Sequence, residues 1–249
     1  MVAFSHCRDV VAAVSKAGGM GVLGAVGLSP EKLEIELNWI DEHVDGKPYG
    51  VDVLVPNSYV GKGENLTTDD LRAMIPQEHR EFRADVLEKH DIEANDLRSD
   101  AGSQRTEQNS NQVLGAGLDG AKEVLEVAFS HPIGLVANAL GVPPKWMLDM
   151  GKEHNVPVAA LIGAKQHAVK QVEAGVDIIV VSGTEGGGHC GSVSTMVLVP
   201  EVRRALKPYG DVPILAAGGI CTGEQMAGVM AMGADGVWCA SVFLPTTEA

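Results

Sequence analysis

Aromatic residues are scarce: Phe, Trp and Tyr together make up 4% of the 249 residues. That leaves too few ring faces for the stacking platforms of single-strand nucleic-acid binders. Positive charge is also in short supply, with 19 Lys+Arg against 33 Asp+Glu and a formal net charge of −14. Phosphate backbones and anionic membranes repel such a surface, so neither nucleic acid nor a membrane is expected as a partner. Cysteine is limited to Cys7, Cys190, Cys221 and Cys239, with no C-x-x-C pair. This excludes a disulfide scaffold and matches no usual zinc spacing, so reduced thiols and no metal are expected. No run of 18 apolar residues occurs, and no charged segment followed by an apolar one opens the sequence. The expectation is a soluble, cytoplasmic globular protein. Glycine, by contrast, is plentiful at 30 residues, and 45% of the chain is hydrophobic, enough for a full core.

One pattern recurs along the chain. Ala17-Gly18-Gly19-Met20, Ala174-Gly175-Val176-Asp177 and Met232-Gly233-Ala234-Asp235 each close an amphipathic run and open a short apolar one. Glycine ends helices by adopting the left-handed conformation, and apolar runs without polar alternation are strands buried on both faces. Strands are expected at 2–4, 20–25, 49–55, 133–138, 156–161, 177–182, 212–217 and 235–240. Helices are expected at 8–17, 30–43, 119–129, 144–154, 165–174, 199–206 and 223–232. Eight strands alternating with helices in about 250 residues point to an α/β fold, a (β/α)8 TIM barrel. A doubly wound open sheet is the alternative and usually needs fewer strands.

Residues 56–118 interrupt this rhythm after the third strand, far beyond an ordinary connection. Within them 69–90 looks helical, with Leu71, Met74, Ile75, Phe82, Val86 and Leu87 available to bury, and the polar stretch 99–112 reads as a loop. The segment is either a lid over the catalytic face or a surface insertion. Both ends look short for a barrel, since the first strand has barely three residues and only 244–249 remain to form the helix that should cover the eighth.

Barrel active sites gather where strands end, and that rule sorts the eight histidines. His43, His154 and His167 fall on outer helices, His79 and His90 in the insertion, and His131 ahead of the fourth strand. His6 and His189 remain. His189 follows Gly186-Gly187-Gly188, where missing side chains let backbone approach a flat ligand, and an imidazole there can move a proton to or from carbon. The alternative is a glycine-rich turn with an incidental histidine. His6 is expected to structure the first loop, and Glu185 is either a second acid–base group or a carboxylate accepting loop N–H bonds. Gly218-Gly219 ends the seventh strand, and Thr222 with Gln225 forms a capping box for the next helix. Barrels often bind phosphate after strands seven and eight, where Gly218, Gly219, Ala240 and Ser241 fall.

At these residues the sequence resembles the nitronate monooxygenase (2-nitropropane dioxygenase) family of FMN-dependent TIM barrels, which also includes enoyl-acyl-carrier-protein reductases. The resemblance rests on 17–25, on 185–191, on 216–220 and on 233–241. The opening Ala3-Phe4-Ser5-His6-Cys7-Arg8-Asp9 is most similar to an actinobacterial branch linked to degradation of steroid-ring CoA thioesters. The resemblance implies FMN across the barrel mouth, its phosphate against Gly218, Gly219, Ala240 and Ser241. The ring would approach Ala3, Phe4, Ser5 and Gly187, with Asp52 facing it where the family commonly has Asn, and Ser182 would also contact the flavin. His189 would be the catalytic acid–base group. Ser182 and Gly186 stand where many members have Gln and Ala, and Ser5-His6 replaces the Met-Ala of typical nitronate oxidisers.

The expected function is an FMN-dependent oxidoreductase that moves a proton at a carbon beside a nitro, carbonyl or thioester group. Oxygen as redox partner would make it a nitronate monooxygenase. NAD(P)H would make it an enoyl reductase or dehydrogenase of an acyl-CoA thioester. The rivals are a sugar-phosphate isomerase or aldolase using the same glycines, and a shortened, non-catalytic binding subunit. For the first, Lys165 is the lysine nearest a strand end, and it is expected to begin a helix.

Overall fold

The computed structural model describes residues 1–55, 70, 73–92, 118–188 and 190–249. The chain divides into two compact units, residues 1–57 with 121–249, and residues 58–120.

Eight parallel strands close a barrel in chain order. They are β1 (Val2–Ser5), β2 (Met20–Gly24), β3 (Tyr49–Val53), β4 (Leu135–Asn138), β5 (Val158–Ile162), β6 (Ile178–Ser182), β7 (Ile214–Ala217) and β8 (Gly236–Cys239). Closure is made by β1 on β8, with Val2 opposite Trp238 and Ala3 opposite Cys239. The open-sheet alternative is thereby excluded. β5 and β7 begin two residues later than the apolar runs suggest because Pro157 and Pro213 have no N–H for the ladder. Their carbonyls still accept from Val136 and Ile179.

Around the strands run α1 (Arg8–Lys16), α2 (Pro30–His43), α4 (Leu118–Phe129), α5 (Lys145–Glu153), α6 (Lys165–Ala174), α7 (Thr195–Leu206) and α8 (Gly223–Ala231). Gly18, Gly175 and Gly233 stop α1, α6 and α8 with φ of 90°, 100° and 111°. The Gly-X-Asp of the repeat has a second task. Asp177 and Asp235 turn a carboxylate back to accept the N–H of Val158 and of Ile214, each at 2.8 Å, pinning the base of one strand to its neighbour. Arg203 pairs with Asp235 from outside.

α7 starts at Thr195, not at Val199 as the sequence suggests, and carries Pro200 inside it. A proline is favoured at a helix start, yet Thr195, Leu198, Val199, Val202 and Leu206 form one buried stripe that extends the helix backward. In the second unit Asp70 and Ala73 are helical, within the expected run from 69, but Pro76 divides that run and α3 (Gln77–Glu88) begins after it, since the residue before a proline is driven out of helical geometry. Ala84 is its buried residue, while Phe82 and Val86 are exposed. Leu71 and the polar stretch 99–112 lie outside the described residues.

Side-chain alternation sorts the core into two layers. Leu23, Tyr49, Val51, Val53, Val136, Ile179, Val181 and Ile214 face the helices and join Leu33, Leu37, Ile40 and Leu198. Burying each such aliphatic side chain contributes about 1.5–3 kcal/mol. Val2, Val22, Leu135, Ala137, Ala159, Val180, Ala217 and Trp238 fill the lumen. The lumen is thus a packed plug, and its upper surface at the strand C-termini is the platform for a site.

Candidate active site at the barrel mouth

β1 supplies one edge of this platform. Phe4 is on the lumen side, stacked on Trp238 at 6.3 Å and met edge-on by the His6 ring at 5.2 Å. Ala3 alternates to the other side and is buried with Val10 and Val14 of α1. Ser5 Oγ accepts the N–H of Cys7 at 3.0 Å, turning the chain into α1. His6 Nδ1 donates to the carbonyl of Gly24 at 3.1 Å, and a Cβ at position 24 would strike the imidazole. His6 therefore braces the first loop, as the sequence suggests.

Asp52 is the unusual group. β3 alternates Tyr49, Val51 and Val53 toward the helices, which turns Asp52 toward the lumen. Its register neighbours are Gly24 and Ala137, so small residues flank the carboxyl on both sides. Asp52 is 2% exposed, and its Oδ1 has no hydrogen-bond partner. Burial without compensating charge raises its pKa well above the ordinary aspartate range, favouring the neutral acid. The sequence shows an Asp in an apolar strand, and only the alternation of that strand reveals which way it faces.

The loops after β6, β7 and β8 meet through glycines. Gly218 and Gly219 take successive left-handed conformations, with φ of 99° and 70°. A Cβ on Gly218 would lie 3.1 Å from Gly183 O, Gly186 N and Thr195 Oγ1, and one on Gly187 would lie 3.3 Å from Ser241 Oγ. The structure thus brings together Ser182, Gly187, Gly218, Gly219, Ala240 and Ser241 at the C-terminal ends of three neighbouring strands. The capping box of α8 is present, with Gln225 Oε1 accepting the N–H of Thr222 at 3.0 Å and of Cys221 at 2.7 Å. Gln225 therefore occupies donors at the start of α8 that would otherwise be free for an anion, and the left-handed glycine pair is the open part of this corner.

Glu185 and Thr195 hold the corner. Glu185 Oε2 accepts the Thr195 N–H at 2.9 Å and its hydroxyl at 2.8 Å. The backbone bond, then the hydroxyl, lower the Glu185 pKa, so the carboxylate stays ionised. Of the two readings of Glu185, the acceptor of N–H bonds is the one observed. Thr195, which sequence reasoning missed, also lies 3.2 Å from the carbonyls of Ala217 and Gly218. Ser194-Thr195 ahead of an apolar stripe was the available signal, an N-cap pair. His189 lies outside the described residues, between Gly188 and Cys190. Lys165 does begin α6, and its ammonium is paired with Glu201 at 2.7 Å. All four thiols are free, and among the described residues no three His, Cys, Asp or Glu are grouped to hold a metal ion. No described helix is long and apolar enough to cross a membrane.

The nitronate monooxygenase family profile matches residues 1–249. The chain belongs to that family. A Mycobacterium tuberculosis protein named as a monooxygenase is 51% identical over 248 residues, covering 99% of this chain and 64% of that one. A Staphylococcus saprophyticus protein named as a nitronate monooxygenase is 26% identical over 258 residues, with the same two coverages. The chain thus spans 64% of the length of these curated relatives. Among solved structures, nitroalkane oxidase from Streptomyces ansochromogenes superposes with a TM-score of 0.72 at 23% identity, covering 99% of this chain and 66% of that one. FabK from Thermotoga maritima gives 0.67 at 23%, covering 99% and 60%. At these identities the two structures share the barrel fold with the family member described here.

Proposed function

We propose that this chain is the FMN-binding barrel of an oxidoreductase of the nitronate monooxygenase type, one domain over residues 1–249 in which 56–118 is an insertion. The observation that carries the reading is the glycine corner, where Gly187 lies against Ser241 and beside the left-handed pair Gly218-Gly219. Side chains there would fill a cradle suited to a phosphate-bearing, flat ligand. The unpartnered Asp52 carboxyl supports the same fit, as a buried donor awaiting an acceptor. In this reading Gly218, Gly219, Ala240 and Ser241 hold the phosphate end. Ala3, through its backbone, with Phe4, Ser5, Asp52, Ser182 and Gly187, borders the ring. Bound FMN would supply the redox step, exchanging an electron pair that no side chain of the chain can take.

The chain's own residues supply the rest. His189, in its neutral form, is assigned the proton at the carbon beside an activating nitro, carbonyl or thioester group, taking it on the imidazole. Phe4 and Trp238 close the lumen below the mouth and exclude water from that side. The redox partner divides the two chemistries, with oxygen for nitronate oxidation and NAD(P)H for reduction of an enoyl thioester. The 51% identity to a mycobacterial protein supports placing the chain near the actinobacterial branch, whose substrates would be acyl-CoA thioesters.

The test is the visible spectrum of the purified protein, before and after added FMN and dithionite. A flavin band that bleaches is expected, and His189→Ala should keep that band while turnover falls by a factor of about 100 or more. Oxygen uptake with an alkyl nitronate against NADPH oxidation with an enoyl thioester then assigns the redox partner. A colourless protein that takes up no FMN refutes the reading, as does full turnover in His189→Ala.

A further inference from the structure

A cavity of about 730 Å3 opens beside the mouth, where the ends of β4, β5 and β6 meet the first turns of α6. Its inner wall includes Leu161 and Ser182, and Cys190 and Gly191 of the loop after β6 form another side. Its outer wall is α6, which contributes Lys165, His167, Lys170 and Gln171. The volume falls in the range of small-ligand sites, roughly 300–1,000 Å3. No step assigned above uses α6.

The chemistry of this wall runs against the rest of the chain. In a protein of net charge −14 the cavity is lined by two lysines and a histidine against one carboxylate, Glu201. Glu201 holds the Lys165 ammonium at 2.7 Å, whereas Lys170 makes no ion pair among the described residues. α6 begins without a side-chain cap, and with the N–H groups of His167 and Ala168 taken by Ala164 O, those of Lys165 and Gln166 at the same rim have no helical partner. A separate observation lies deeper. Gln171 is 2% exposed and donates its amide N–H to Gly141 O at 2.9 Å, but its amide oxygen has no partner. A buried acceptor left unsatisfied by the fold is a place where a ligand donor would gain a hydrogen bond.

We propose that this cavity holds the part of the substrate remote from the reacting carbon. It selects an arm that ends in an anion, a carboxylate or a phosphate ester, and carries an N–H or O–H group along its length. The site rests on the reading of the mouth as the reaction centre, because it opens into that mouth at Ser182. Lys170 and the start of α6 would meet the anion, and Gln171 would accept from the donor. Lys165, anchored by Glu201, would fix the charge at the rim.

Calorimetric titration of the full chain with butyl phosphate, butanoate and butanol tests this, alongside a separate titration with FMN. Both anions should bind more tightly than the alcohol, and the better anion identifies the arm. Lys170→Gln should weaken anion binding about fivefold, the scale of one exposed charge contact. Lys165→Gln with Lys170→Gln should weaken it further, and FMN uptake should stay unchanged in both variants. Equal binding of butanol and the anions, or unaltered anion affinity in the double variant, overturns the proposal. Lysine-dependent anion binding by a chain that takes up no FMN would overturn the proposed function and leave the site standing. FMN uptake without anion binding would do the reverse.

Discussion

Asp52 makes the fold's stability depend on pH in a direction opposite to that of most carboxylates. The group is buried in the lumen between Gly24 and Ala137, with an oxygen that nothing in the fold satisfies. Its folded pKa is raised, so between the ordinary aspartate range and that raised value the folded chain keeps a proton that the unfolded chain has released. Folding then binds a proton, and stability falls as pH rises through that window, by about 1.4 kcal/mol per pH unit for one group. Asp52→Asn has nearly the same shape and no titration. Equilibrium urea unfolding of both proteins, from about pH 5 to about pH 8, isolates the effect. The stability of Asp52→Asn relative to the native chain should rise by about 1.4 kcal/mol per unit and level off where Asp52 ionises in the folded state. The comparison cancels every other titrating group. The infrared carbonyl stretch of a protonated carboxylic acid, present in the native chain and absent from the variant, gives a second readout. A difference between the two proteins that does not change with pH would refute the argument, because it would mean that Asp52 ionises as freely in the barrel as in the unfolded chain.

His131, ahead of β4, should also lose its stabilisation as pH rises, for a different reason. Burial alone would lower its pKa, but Asp41 at 2.7 Å and Glu34 at 3.1 Å outweigh burial and raise it. Its stabilisation is therefore complete below the unfolded imidazole pKa and is lost as pH rises through the higher folded value. His131→Gln should flatten the urea midpoint across that window, and an unchanged slope would contradict the ion pairs. Gly183→Ala would drive a methyl into the backbone and hydroxyl of Thr195, which cannot swing away as a long side chain would. A loss of roughly 1–3 kcal/mol is expected, read as a fall of about 3–10 °C in Tm. Glu185→Gln should loosen α7 by about 1 kcal/mol and leave the pH profile of turnover in place, since Glu185 is an acceptor for Thr195. A shifted profile would return it to acid–base work.

The barrel was legible because its determinants are local and repeated. A glycine that must turn left-handed, an apolar run of strand length and a helix of matching period recur within a few residues of one another, and the closed order of β1 to β8 follows from them. The glycines of the mouth were legible for the same reason, since strand ends place them whatever surrounds them. What stayed hidden depends on partners distant in sequence. Asp41 and His131 lie 90 positions apart, and nothing in either neighbourhood announces the other. Thr195 became part of the site through Glu185 and the Gly218 carbonyl, while Pro200 pointed to a later helix start. Asp52 is the instructive case between the two. Its strand was expected, and with it the two-residue alternation that turns the carboxyl inward, yet its chemical state depends on what β2 and β4 place beside it. A lysine or arginine at either neighbouring position would have made an ion pair of the same residue. Gly24 and Ala137 leave it a neutral acid, and so the small residues around a polar group, more than the group itself, decide what it can do at the mouth.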